Sequence, residues 1–440
     1  MKRAIRLCIY NFNLEKMYKK SEQLLDRALK SIPLASQTFS KSLTQYPRGV
    51  SPFFIEKGKG SKVWDVDGNE YIDFVNSLAA VTLGYCDKDV DNAVQQQMKK
   101  GVIFSLPHTL EMEVAEQLIK IIPCAEKVRF AKNGTDATSA SIRISRAYTN
   151  KEHIAVCGYH GWQDWYIGST SRDLGVPKSV KNLTHKFEYN NIKSLEKIFQ
   201  ARELACVIME PMNVEYPKDN FLEKVKELAH KNNALLIFDE TITGFRYSLG
   251  GAQELFNVIP DLATFGKGMA NGFPLSAVVG SNEVMQKVED IFFSGTFGGE
   301  TLSLAAANAV IDKYKKQNVA TYLDDLGRYL LSKLNKLIEN KDLQKIFYTS
   351  GHPTWSFLHI KEQEQFTTFE IKTFFLQEMF KRGILTLGSH NLSFSHTVAD
   401  VDRLLEVYQK ILPMIKRHID SKSLKENIHG DILQDLFKVR

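Results

Sequence analysis

Cysteine is scarce in this sequence. Five residues (Cys8, Cys86, Cys124, Cys157 and Cys206) are scattered over 440 positions, odd in number and without a CxxC pair. That argues against a disulfide frame or a zinc site and fits reduced, buried thiols in a cytoplasm. No apolar run reaches the roughly 18 residues of a membrane-spanning helix, so no membrane partner is expected. The start, MKRAIRLCIYNFNLEKMYKK, is basic but has no sustained apolar core and no small-residue cleavage site, so it is not read as a signal peptide. Charge of one sign is nowhere concentrated. Lys and Glu are interspersed and the net charge is +6, so nucleic acid is not an expected partner either. Neither GxGxxG nor GxxxxGK[ST] occurs, which argues against a nucleotide-binding α/β protein. No internal repeat or low-complexity linker interrupts the chain. What remains is an ordinary globular composition, 43% hydrophobic and 25% charged, long enough for two domains.

The pattern of apolar residues divides the chain. LEKMYKKSEQLLDRALKSI has helical spacing, and SKVWDVDGNEYIDFV alternates around Asp67-Gly68 as a hairpin does. From about position 110 the helical TLEMEVAEQLIKII is followed by the short strand KVRFAK and then by TDATSASIRISRAYT, again helical. HIAVC, ACVIME, ALLIFDE and LSAVVG are apolar runs without alternation, with helices such as FLEKVKELAHKNN between several of them. Buried parallel strands separated by helices read this way. A long helix, VATYLDDLGRYLLSKLNKLIE, two strand-like segments and a closing helix, VADVDRLLEVYQKIL, follow. The expected fold is α/β: a large doubly wound, mainly parallel domain over 76–310, and a smaller α+β domain built from 1–75 and 311–440. The last 20 residues are polar and carry no functional signal.

Polar groups gather at strand ends, where open parallel sheets bind ligands. Asn133-Gly134-Thr135 opens a helix after KVRFA. Small residues there free backbone N–H groups for an anion and Thr135 adds a hydroxyl, although a plain helix cap also explains them. Tyr159 and His160 stand beside Gly161 after HIAVC, as an aromatic plate for a planar ligand or as a loop packed on the core. VIMEP ends in Glu210, and LLIFDE ends in Asp239 and Glu240. Two carboxylates after an apolar strand are costly without partners; a structural ion pair explains one such site better than two. Lys267 lies among Gly266, Gly268, Ala270 and Gly272. A lysine in a dry pocket has a depressed pKa and attacks carbonyls, and the glycines would let it approach a ring without Cβ clashes. A Schiff-base lysine, an acid for a pyridine nitrogen, a phosphate cup and an aromatic plate together point to pyridoxal phosphate.

Over roughly residues 35–415 the chain resembles the class III, fold type I pyridoxal-phosphate aminotransferases, and among them most the aminomutase branch. The residues that carry this are VWDVDGNEYIDF, NGTDATSASIRISRAYT, YHGW, IMEP, ALLIFDETITGFR, GGAQ, PDLATFGKGMANGFPLSAVVG and GTFGGETLSLAAA. The resemblance implies a homodimer with a shared active site, acting on small-molecule amines and carbonyl compounds. It implies that Lys267 forms the Schiff base, Asp239 pairs with the pyridine nitrogen, and Gly134 and Thr135 bind phosphate. Tyr159 would lie against the ring with His160 beside it, Glu210 near its phenolic side, and Thr296 would reach the phosphate held by the other subunit. No metal is implied.

Several positions depart from the aminomutase pattern: Asn133 and Asp136 in the phosphate loop, Leu78 in place of an aromatic, Trp162 in place of a histidine, and Glu300 in place of an asparagine. These departures leave the cofactor shell and alter the substrate shell. A carboxylate at 300 would disfavour an acidic substrate unless a cation such as Arg143 or Arg246 neutralises it, and Trp162, Gln163 and Glu300 would suit a hydroxylated carbonyl compound. Transfer to a second carbonyl, return of nitrogen to the same skeleton, racemisation or decarboxylation, and a non-catalytic fold relative remain as readings of one shell.

Overall fold

The computed structural model describes residues 17–434. Cys8, most of the basic start and the end of the polar tail lie outside the described residues. The chain divides into two compact units. One takes the residues up to Leu78, Gly84–Cys86 and those from Leu323; the other takes Ala79–Leu83 and Asp87–Tyr322.

In the first unit, β1 (Ile55–Lys59), β2 (Lys62–Asp65) and β3 (Glu70–Asp73) form the antiparallel ribbon that the Asp67-Gly68 turn predicts. Gly68 has φ +89°, which a side chain would resist. Asp67 also caps the amphipathic helix Lys19–Ala28, accepting from the N–H groups of Lys20 and Ser21 at 2.7 and 2.9 Å. After β3 the chain makes a left-handed turn. Asn76, Ser77, Leu78 and Ala79 have φ of 46°, 50°, 60° and 66°. Each such residue costs about 1–2 kcal/mol. The buried Asp73 carboxylate holds the entry, accepting from the Val75 and Asn76 N–H groups.

The second unit is built on seven strands: β4 (Lys127–Ala131), β5 (His153–Cys157), β6 (Thr184–Lys186), β7 (Leu204–Met209), β8 (Leu235–Asp239), β9 (Leu262–Phe265) and β10 (Ser276–Gly280). Their order is β4-β10-β9-β8-β7-β5-β6. The apolar runs are buried on both faces because strands pair on each side and helices cover the sheet. Ile154, Val156, Cys206, Ile208, Ile237, Leu262 and Val278 pack with Ile142 and Ile144 of the helix Gly134–Thr149. Burying each such side chain contributes about 1.5–3 kcal/mol.

The expectation of a mainly parallel α/β sheet is met, with one correction. LSAVVG, β10, runs antiparallel to both β4 and β9. An apolar run records burial on two faces but not direction. Because β10 reverses once on each side, β4 still points the same way as β5 to β9. The carboxyl ends of β4, β5, β7, β8 and β9 therefore open on one edge of the sheet.

Back in the first unit, β11 (Phe347–His352), β12 (Trp355–Ile360) and β14 (Ser389–Asn391) make a three-stranded antiparallel sheet, while β13 (Ile384–Leu385) joins β3 in parallel. The helices Val319–Asn340 and Val398–Asp420 match the two long periodic segments.

Candidate active site

Each strand end delivers one polar group to the same edge. β4 ends at the helix Gly134–Thr149, whose first turn is fixed by Asp136 accepting from the Asn133 N–H at 2.8 Å. Asp136, one methylene shorter than the usual glutamate, still closes this cap. The Thr135 hydroxyl oxygen beside it is buried and has no hydrogen-bond partner within the protein. Gly161 lies over that hydroxyl with φ +108°, and a Cβ there would come within 2.3 Å of Thr135 Oγ1. Here a glycine is required twice, by backbone angle and by proximity.

β8 ends at Asp239, buried to 5% exposure. Its Oδ1 accepts from the Thr241 N–H (3.2 Å), the Thr241 hydroxyl (2.6 Å) and the Thr264 hydroxyl (3.0 Å). Its Oδ2 receives His160 Nδ1 at 2.9 Å, and His160 Nε2 lies 3.2 Å from the Cys157 carbonyl. Burial by itself raises the carboxyl pKa. The His160 contact and the Thr241 donors outweigh it and hold Asp239 below the usual carboxylate value.

Glu240, next in sequence, does something else. It accepts from the Thr243 hydroxyl and from the N–H groups of Ala252 and Gln253, pinning the loop that follows. Burial raises its pKa despite these donors. The two adjacent carboxylates thus divide between the edge of the sheet and the structural interior. Glu210, 6% exposed, follows β7 and accepts at Oε2 from the Tyr159 N–H and from Asn213 Nδ2, both at 3.0 Å. Tyr159 is half-buried and meets Tyr166 edge to face.

Lys267 follows β9, a strand that the apolar pattern does not announce. Its φ is +43°, in the left-handed region uncommon for a side-chain-bearing residue. Two of the neighbouring glycines also serve local packing. A Cβ on Gly268 would lie 2.4 Å from Thr82 Oγ1, and Gly272 has φ +97° against Val81. Both are required for packing this loop on 81–83, where the Leu83 N–H also donates to Asn271 Oδ1 at 2.9 Å.

Thr241 was not picked out by sequence, and it joins the set. Its hydroxyl serves Asp239, while its methyl carbon would lie 3.0 Å from a Cβ on Gly134 and 3.4 Å from one on Gly266. The acid, the helix N-terminus and the lysine loop therefore meet around one side chain. The signal was its place directly after Asp239-Glu240. Asn213 was missed too: its Oδ1 is buried without a partner while Nδ2 is held by Glu210. Thr296 is not brought to this set. It is exposed, in a turn closed by Gly298 N–H to the Gly295 carbonyl at 3.0 Å.

Residues 45–398 match the family Aminotransferase class-III. The chain belongs to it. A 3-aminobutyryl-CoA aminotransferase of Cloacimonas acidaminovorans is 34% identical over 90% of this chain and 98% of its own length. A glutamate-1-semialdehyde 2,1-aminomutase of Caldicellulosiruptor saccharolyticus is 33% identical over 91% and 99%. The FumI protein of Sphingopyxis sp. MTA144, solved as a pyridoxal-phosphate internal aldimine, superimposes with a TM-score of 0.84 at 26% identity, covering 91% of this chain and 97% of its own. This class III aminotransferase is an enzyme of fold type I that transfers amino groups with pyridoxal phosphate.

The residues fit that cofactor. A buried hydroxyl without a protein partner sits at a helix N-terminus, as a phosphate requires. A buried carboxylate held below its usual pKa is an acceptor for a protonated ring nitrogen. Among the described residues no helix is long and apolar enough to cross a membrane. The four described cysteines are free; Cys124, Cys157 and Cys206 are buried as expected, but Cys86 is exposed.

The Glu300 expectation needs correction. Its carboxylate is neutralised by Lys132 Nζ at 3.0 Å, whereas Arg143 donates to the Phe292 carbonyl. It also caps the helix Thr301–Gln317, accepting from the N–H groups of Leu302 and Ser303. Burial alone would raise its pKa, and the Ser303, Lys132 and Leu302 donors bring it below the ordinary value. With its oxygens so occupied, it is no free charge facing a substrate. Glu300→Asn, which keeps a good N-cap, is expected to change kcat/KM by less than about threefold for any substrate turned over, and to lower stability by about 1 kcal/mol or less. A tenfold gain on an acidic substrate, measured by steady-state kinetics, would restore the charge to the substrate site.

Proposed function

We propose that this enzyme moves an amino group from a donor amine to a separate small carbonyl acceptor, with Lys267 and Asp239 as its catalytic residues. The meeting of Asp239, Gly134 and the Lys267 loop around Thr241 is the observation that carries this reading. Bound pyridoxal phosphate supplies an aldehyde that condenses with amines and a ring that accepts the electron pair left when a neighbouring C–H proton departs.

In this reading Gly134 and the Thr135 hydroxyl hold the phosphate at the helix N-terminus. Asp239 keeps a proton on the ring nitrogen, and His160 and Thr241 keep Asp239 ionised. Tyr159 lies against the ring. Glu210 orients Asn213, so that the unpartnered Oδ1 of Asn213 and the carboxylate itself flank the ring's phenolic side. Lys267 would provide the amine that holds the aldehyde, and its Nζ would serve as the base and acid for the substrate proton. The large unit is thus the cofactor domain.

A second reading, return of nitrogen to a neighbouring carbon of the same skeleton, is favoured by the 33% identity to an aminomutase. Screening amines and carbonyl compounds against the visible spectrum of the holoenzyme separates the two. Transfer requires that a 2-oxo acid or another carbonyl restore the starting spectrum after an amine has changed it. Conversion of glutamate-1-semialdehyde to 5-aminolevulinate without any second acceptor would make the enzyme an aminomutase. A spectrum unmoved by every amine would support a non-catalytic relative. With Glu300 committed elsewhere, Trp162, 69% exposed, and Gln163 remain the argument for a hydroxylated acceptor.

The reading includes a cytoplasmic homodimer. Free thiols support the compartment. Exposed Leu106 (78%), Met112 (58%), Phe292 (84%) and Phe297 (58%) support an interface. They belong to two adjoining segments, since a Cβ on Gly299 would meet Glu111 and the Thr301 N–H donates to the Val102 carbonyl. Thr296 lies between the two phenylalanines and would cross to the phosphate of the second subunit. Mixing Lys267→Ala subunits with inactive Thr296→Ala subunits is therefore expected to recover activity, because one site of each mixed dimer receives both intact residues. A fully active monomer, shown by sedimentation at assay concentration, would refute sharing.

A further inference from the structure

β5 carries chemistry at both ends. Its carboxyl end leads to Tyr159 and His160; its amino end begins with His153, beside His185 on the parallel edge strand β6. His153 Nδ1 and His185 Nε2 are 3.0 Å apart, with ring centroids 5.1 Å apart. His153, Lys181, Asn182, Thr184, His185 and Arg202 line a cleft of about 600 Å³. Four of the six are basic and none is acidic. The Thr184 hydroxyl is turned inward to the Trp165 carbonyl at 2.6 Å, and Lys181 is tied to Asp173. The charges acting on His185 are His153 and Arg202, both of its own sign; burial comes first, and together they hold its pKa below the ordinary histidine value.

Lys181 is neutralised by Asp173, but His153, His185 and Arg202 have no carboxylate among the cleft's lining residues; when protonated they repel one another, and an anion removes that cost. The hydrogen-bond inventory agrees. A neutral imidazole pair spends one N–H on the contact between the rings and has one left to face outward. One further proton gives both outer nitrogens an N–H while the contact is kept. A tetrahedral dianion would receive these two donors and the Arg202 guanidinium.

We propose that this cleft binds a phosphoryl anion, free or as a monoester, at the end of β5 remote from the cofactor, and that binding places one proton on the His153–His185 pair. The test uses the holoenzyme, so that the cofactor's own phosphate site is filled. Inorganic phosphate, glycerol phosphate and sulfate are titrated by calorimetry at about pH 6 and about pH 8, the range over which histidines change charge. Sulfate does not titrate there, so protons taken up with it belong to the protein, and two buffers of different ionisation heat count them.

Expected are saturable binding that weakens about tenfold at the higher pH, uptake of up to one proton, and a loss of tenfold or more in Arg202→Ser and in His185→Asn. Amino-transfer activity should be unchanged in both variants. Tighter glycerol phosphate than phosphate would identify a monoester as the occupant, and the reverse would identify free phosphate. Arg202 is exposed, so Arg202→Ser keeps its fold even if His185→Asn does not. Equal affinity in wild type and Arg202→Ser, binding without proton uptake, or no saturable heat would each overturn the proposal.

Discussion

Lys267→Ala is expected to lose turnover by about a thousandfold or more and to keep its fold. On the proposed assignment two functions would disappear at once: the amine that would link to the cofactor aldehyde, and the base that would move the substrate proton, the latter alone worth about 10²–10⁴-fold. The Thr135 hydroxyl, the helix N-terminus and Asp239 remain, so the variant still takes up pyridoxal phosphate, reversibly. Borohydride reduction of wild type followed by peptide mapping should find the pyridoxyl group on Lys267. Finding it on another lysine would end the assignment.

The backbone at this residue supplies a control. At φ +43° Lys267 is held where glycine is at ease. Lys267→Gly should therefore be as inactive as Lys267→Ala yet melt at a higher temperature, by the equivalent of about 1 kcal/mol. A strained residue that stabilises the protein when removed and abolishes turnover is retained for chemistry. If the glycine variant were the less stable of the two, the lysine would be a packing element and the strain argument would fail.

How far the sequence led can be judged at particular residues. The strand ends carrying Asn133, Tyr159, Glu210 and Asp239 were legible, because uninterrupted apolar runs between helices mark buried parallel strands and polar residues stop them. The common direction of those strands was not legible. β10 reads like its neighbours but runs against them, since burial on two faces leaves no trace of polarity. The glycines around Lys267 are legible as a small-residue loop, but not what they pack on: Gly268 and Gly272 answer to Thr82 and Val81. Thr241 was invisible because, Asp239 apart, it meets Gly134 and Gly266, two segments more than twenty residues away in the chain. Glu300 was misread because a carboxylate at a helix N-cap and one facing a ligand are the same letter. Lys132 and the Ser303 N–H distinguish them only in space.

Asp239→Asn should retain the fold and the cofactor while slowing turnover more than a hundredfold, a loss above about 3 kcal/mol in transition-state stabilisation. The amide has nearly the carboxylate's shape and can still accept from Thr264 and Thr241. What it lacks is the charge that, in the proposed role, keeps a proton on the ring nitrogen, and its NH₂ in place of Oδ2 would require His160 Nδ1, 2.9 Å away, to accept rather than donate. The sign of the pH dependence follows from the same contacts. Asp239 is held below its ordinary value of 3.8, so the ionised form is favoured by folding, and its contribution is present above that value and lost as pH falls through the lower folded value. Wild-type activity should thus show no acid limb from Asp239 above about pH 4, and His160→Asn, which removes the imidazole from Oδ2, should move such a limb upward. Thermal melting and cofactor absorbance separate this from simple unfolding, since both should stay near wild type at neutral pH. Wild-type turnover in Asp239→Asn at full cofactor occupancy would remove this carboxylate from the mechanism and leave the buried His160–Asp239 pair a structural one.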